Sequence, residues 1–256
     1  MAIITQSNFE QCVKQIEIDF DIDLMDNISK NNVMLRGESM WYEKTEPSMK
    51  RFITEEDGKT MKSFQFVSPI IDFQDIFSSY HSEKNNISYD VAEGFLQHYG
   101  FPTDIFDISP SLETAKIFSH LGNYKDEVGA ICVTRTQGIS SYYKLINIST
   151  HPFARRPQLQ TAYGAKHEKG ISDLKDEKLK KYFQIQWYRF RKSQEDIEWA
   201  KQQENKIYPD EKELGVFFSS DLEDFVRNHF TYRMMTEDQK NLLNKMLDKI
   251  RNQNTK

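Results

Sequence analysis

Only two cysteines, Cys12 and Cys132, stand in the 256 residues, too few for a disulfide framework or a tetrahedral zinc site. No apolar run approaches the roughly 20 residues needed to cross a bilayer. The opening MAIITQSNFEQ has neither the basic flank nor the apolar centre of a signal segment, so a soluble cytoplasmic protein is expected, with no membrane partner. Several catalytic signatures are missing. There is no GxxxxGK[ST] phosphate loop, GxGxxG turn, HExxH or CxxC pair, and no GxSxG elbow. The six histidines never fall at helical metal-ligand spacing, so no metal is expected. No Gly-, Ser- or Pro-rich linker, repeat or heptad run divides the chain. Positive charge is not in excess either: the net charge of −5 argues against a broadly basic nucleic-acid binder.

Aromatic residues are plentiful, with 18 Phe, 12 Tyr and 3 Trp, enough apolar area to offset chain entropy in an ordered core. Ser7 and Glu10 form a capping box ahead of an apolar stripe, Phe9, Val13, Ile16 and Phe20, that predicts a first helix. A short extended segment over 33–36 follows. Residues 39–70 read as loop, and helical spacing returns at Phe73–Tyr80 and Val91–Tyr99, stopped by Gly100 and Pro102. A strand is expected over 103–108. Ser109 then stands as a helix N-cap with Pro110 at the first helical position. Further strands are expected at 128–135, 142–148, 158–165 and 182–190. Ser220/Glu223 and Thr236/Gln239 box two late helices. This order predicts an α+β fold, with one domain over 1–192 and a helical extension over 193–256 packed on it.

Three segments together resemble the FRG domain family. They are LRGESMWYEKTEPSMKR (35–51), GFLQHYGFPTDIFDISPSLETAKIFS (94–119) and RRPQLQTAYG (155–164). The middle block, with QHYGFPT at its centre, is the most specific. The family is thought to resemble ADP-ribosyltransferases. The resemblance therefore implies a split β-sheet core with N-terminal helices and a helical tail, NAD as substrate, and transfer of ADP-ribose to a macromolecule or cleavage of NAD. Such an activity would suit a bacterial or phage toxin or defence effector, by analogy alone. It also implies roles. Arg36 would anchor the dinucleotide, with Gly37 admitting close backbone approach. Ser109 would position the ribose, and Gln160 would contact its 2′-hydroxyl. Gln97, His98 and Tyr99 would line the pocket. Arg36, Ser109 and Gln160 are thus the expected catalytic set.

The chemistry of those residue types suits the task. A guanidinium offers a permanently charged fork to a pyrophosphate. Glutamine can hydrogen-bond a ribose but brings no negative charge to an oxocarbenium-like centre. A carboxylate about 4 Å away at an effective dielectric near 20 is worth about 4 kcal/mol, or about three orders of magnitude in rate. Replacing Gln160 by Glu is then expected to raise NAD turnover, unless Glu38 or Glu168 already supplies the acid. Asp104 departs from the family pattern, which usually has Arg after Pro-Thr. Each residue also has a plainer reading. Arg36 can be a salt-bridged strand residue, His98 a helix-end donor to carbonyls, Tyr99 a core residue, Ser109 a cap, and Gln160 a solvent-facing strand residue. Two other functions stay open at this point: a non-catalytic module that senses a nucleotide or binds a partner, and a nucleic-acid binder using the basic, aromatic run 175–192. The macromolecular acceptor, protein or nucleic acid, and the oligomeric state are not legible in the chain.

Overall fold

A computed structural model describes residues 5–24, 32–51, 63–122, 127–136, 143–152, 154–167, 173–177, 180, 184–208 and 219–253. The strands are β1 (Thr5–Gln6), β2 (Val33–Glu38), β3 (Ile105–Ile108), β4 (Val128–Arg135), β5 (Tyr143–Asn147), β6 (Tyr163–His167) and β7 (Gln186–Arg191). The helices are α1 (Phe9–Phe20), α2 (Ser63–Asn85), α3 (Tyr89–His98), α4 (Leu112–His120), α5 (Arg155–Leu159), α6 (Gln194–Ile207), α7 (Ser220–Asn228), α8 (Phe230–Met234) and α9 (Glu237–Gln253). The protein is α+β.

Two sheets form. One runs β1-β7-β4-β2, antiparallel except where β1 lies parallel to β7; the other is an antiparallel β3-β6-β5. They meet at one isolated bridge, Leu35 with Ser109, where each amide donates to the other's carbonyl at 2.8 Å. Period-two alternation sorts the side chains. Met34, Cys132 and Trp187 of the first sheet meet Phe106, Ile108 and Ala165 of the second in an inter-sheet core. Leu35, Ile131, Val133 and Phe190 point the other way, onto Cys12, Ile16 and Phe20 of α1 and Ala115 of α4. A separate helical core joins Phe73 and Phe77 of α2 and Phe95 of α3 to Leu222, Val226, Leu243 and Leu247 of α7 and α9.

The described part of 193–256 is mostly helical, but it packs in two places. Ala200 and Ile207 of α6 bury against Ile117 and Leu121, while α7 and α9 cover α2. Several boundaries differ from the sequence reading. Asn8, not Ser7, caps α1, accepting from Gln11 N at 2.9 Å. Ser219, not Ser220, caps α7. The Thr236/Gln239 box does form, with reciprocal bonds of 2.9 and 3.3 Å. Helix α2 begins at Ser63, ten residues before the apolar spacing becomes visible, and carries Pro69 inside it. The 158–165 segment is not one strand. It is the end of α5, a turn through Thr161 (φ 46°), and then β6.

Candidate functional site

Arg36 and Gly37 are consecutive on β2 and face opposite ways. Arg36 sits at the mouth between the two sheets, where its Nη1 donates to Asp107 O of β3 at 2.9 Å and its Nε lies 3.3 Å from Glu38 Oε1. Burial works to lower the Arg36 pKa, but the carboxylates of Glu38 and Asp107 overcome it and hold the guanidinium above its ordinary value. Gly37 turns instead toward α4. A Cβ built there would lie 2.0 Å from Ala115 O and 2.7 Å from Ser119 N. The absent side chain lets helix and strand touch, so the glycine is needed for backbone packing rather than for approach of a ligand amide.

Glu38 centres a buried ionic cluster. Its Oε1 accepts from Thr45 Oγ1 at 2.9 Å, and its Oε2 is 3.3 Å from Lys175 Nζ. Lys175 lies over the Trp41 and Trp187 rings at 3.9 and 4.3 Å and donates to Tyr42 O. Its pKa is lowered by burial, with Glu38 and Asp173 pulling the other way. Lys175 therefore serves as a buried strut. Trp187, Tyr188 and Phe190 are buried as well, so the described aromatics of the 175–192 run belong to the core rather than to a base-stacking surface. Tyr182 and Phe183 lie outside the described residues.

Arg36, Ser109 and Gln160 do converge. All three line one cavity of 370 Å³, with Asp107, His98, Thr114, Phe118 and Tyr208. A second cavity of 530 Å³ adjoins it, lined in part by Glu38, Lys44, Glu46 and Glu204. The two share a wall of Arg36, Gly37, Arg51, Phe118 and Tyr208.

Convergence does not leave the polar groups idle. Ser109 is not the N-cap of α4; Ser111 is, accepting from Thr114 N at 3.1 Å. The Ser109 hydroxyl accepts from Ser111 N at 3.1 Å and lies 2.9 Å from Gln160 O and 3.2 Å from Thr161 O, which compete for its single proton. Gln160 follows α5 rather than sitting on a strand, and is 3% exposed. Its carboxamide Nε2 donates to Ile207 O at the end of α6, 2.8 Å away. Two expected pocket residues point elsewhere. Gln97 Oε1 accepts from Thr103 Oγ1 at 3.0 Å, and Tyr99 is buried in the helical core. Consecutive helical residues project about 100° apart, so of this trio only His98 reaches the cavity, with Nε2 3.5 Å from Asp107 Oδ1. Glu168 lies outside the described residues. Among the described residues no group of His, Cys, Asp and Glu is arranged to hold a metal. Among the described residues no helix is long and apolar enough to cross a membrane.

Sequence reasoning missed Tyr208, Arg156 and Thr114. Thr114 Oγ1 lies 3.3 Å from Gln160 O. Arg156 donates from Nη1 to His98 O at 2.7 Å, with its guanidinium over both Tyr99 and Tyr208. Arg156 and Thr114 fall inside the quoted segments, where a positional signal existed. Tyr208 follows a polar helix outside them, and nothing local marks it. Comparison of the chain with protein-family models, curated proteins and solved structures found no match.

Proposed function

We propose that the paired cavities form a dinucleotide site and that the protein is an FRG-like, ADP-ribosyltransferase-like NAD-binding protein. One observation carries this reading. Two neighbouring chambers of 370 and 530 Å³ share lining residues that include Arg36 and Arg51, in the size range of small-ligand sites. A molecule with two ring-bearing halves joined by a pyrophosphate matches that shape and charge. Glu38, Glu46 and Glu204 are the carboxylates among the residues lining the larger chamber, and in this reading the counter-charge to a developing cation comes from among them.

The test is incubation of the purified chain with labelled NAD and a cell lysate, alongside calorimetry. Nicotinamide release or label transfer that disappears in Arg36→Ala supports the enzyme. Absence of NAD binding, cleavage and transfer together would overturn the whole reading. A second reading, binding without turnover, is favoured by the bonds just described. The Gln160 amide is given to Ile207 O and the Ser109 hydroxyl to main-chain carbonyls. NAD binding with neither nicotinamide release nor transfer would select it.

A further inference from the structure

Tyr208 lies beyond the region of family resemblance, in the turn after α6, yet it borders both chambers. Several contacts fix its ring. The Arg156 guanidinium carbon is 5.0 Å from its centroid, and that arginine is tied to His98 O. Phe118 meets it edge-on, with centroids 6.0 Å apart and planes at 88°. Its own backbone amide donates to Glu204 O at 2.8 Å, and the preceding carbonyl, Ile207 O, is held by Gln160. The ring therefore carries a cation over one face and packs perpendicular to a phenyl group. The residue remains 36% exposed and lines both chambers.

From this we infer that Tyr208 stacks the planar ring of a nucleotide and selects a neutral, electron-rich purine over a cationic pyridinium ring. The selection comes from what stands behind it. A guanidinium draws π density toward itself, and its charge would lie about 8 Å from a ring stacked on the far face, close enough at intermediate dielectric to disfavour a second cation by on the order of tenfold. Aromatic stacking of a base is worth about 5- to 100-fold in affinity by alanine substitution. The inference deepens the dinucleotide reading and rests on it for the cleft being a nucleotide site. It adds which ring Tyr208 receives, and it makes the C-terminal extension part of the binding surface.

Three probes of equal phosphate count separate the terms: AMP, nicotinamide mononucleotide and its reduced form, whose ring is uncharged. Calorimetry on the full chain should rank AMP about tenfold or more above oxidised nicotinamide mononucleotide, with the reduced form recovering part of the gap. Tyr208→Phe should keep AMP affinity within about threefold, and Tyr208→Leu, which preserves bulk without a π face, should lose about 5- to 100-fold. Arg156→Gln should shrink the difference between oxidised and reduced forms. Undetectable AMP binding, AMP affinity unchanged in Tyr208→Leu, or equal affinity for the three probes would each overturn the inference. Should the leucine variant not fold, the wild-type ranking of the three probes decides alone. NAD titrated in parallel keeps the two proposals apart. NAD binding indifferent to Tyr208 leaves the dinucleotide site standing without this stack, whereas AMP binding through Tyr208 without NAD binding does the reverse.

Discussion

At Gly37 the nearest obstacle to a side chain is main chain, Ala115 O, and not the tip of a flexible neighbour. Backbone in the middle of a helix cannot step aside without shifting α4 as a body, so overpacking here should reach or exceed the upper end of the usual 1–3 kcal/mol. Gly37→Ala is expected to lower the thermal midpoint by several degrees, at about 2–4 °C per kcal/mol for a chain near this size. A scanning-calorimetry midpoint within a degree of wild type would contradict that account. The same residue shows how two neighbours in one motif can serve different ends. Arg-Gly marks the strand and the cavity, but in this chain the arginine faces the cleft and the glycine faces a helix. Alternation along a strand dictates that split, although only the position of α4 shows what the glycine's missing side chain accommodates.

Elements meet at Gln160, where the end of α5 takes hold of the end of α6. The last carbonyls of a helix lack intrahelical partners, and the Gln160 amide supplies one. Gln160→Glu at neutral pH would replace this donor with a carboxylate aimed at Ile207 O. The lost bond and the unsatisfied buried carbonyl cost about 1–3 kcal/mol, more where the new charge stays buried. A lower thermal midpoint and no gain in NAD turnover are therefore expected, in contrast to the expectation from sequence alone. Faster turnover with an unchanged midpoint would show that the Ile207 contact is dispensable. Legibility at this scale follows how local the cause is. β4 was readable in full from VGAICVTR, and Gly100, at φ 86°, ended α3 where expected. The 158–165 alternation misled because a turn-and-helix also spaces polar residues two apart over a short run. Its decisive partner, Ile207, lies 47 residues away.

Across the whole molecule, stability should respond to acid through histidines buried in the neutral form. His151 stacks on Phe95 at 4.8 Å, and burial, with a smaller push from His81, takes its pKa from 6.5 down to about 4. Below pH 6.5 the unfolded chain binds a proton that the folded one refuses until about pH 4, so stability is full above 6.5 and declines through that window by on the order of 3 kcal/mol. Buried His120 is lowered likewise, chiefly by burial. Glu93 and Asp104, raised by burial, work in the opposite direction. Comparison isolates the one group: His151→Gln should flatten the fall in urea midpoint between pH 6.5 and 4, and an identical slope in wild type and variant would remove His151 as a cause. The α+β order was legible in the run of helix and strand patterns, and Arg36, Ser109 and Gln160, expected to meet, line one cavity. The bonds that occupy those groups were not legible, since each partner comes from a distant part of the chain. Finally, among the described residues one pair of amides, Leu35 and Ser109, links the two sheets by backbone hydrogen bonds. Arg36 stands one residue from that link on one sheet, and its reach to Asp107 O crosses to the other. Drawing the arginine away would break that crossing bond while the amide pair and the apolar contacts between the sheets stayed in place, so the joint is redundant where the cavity opens.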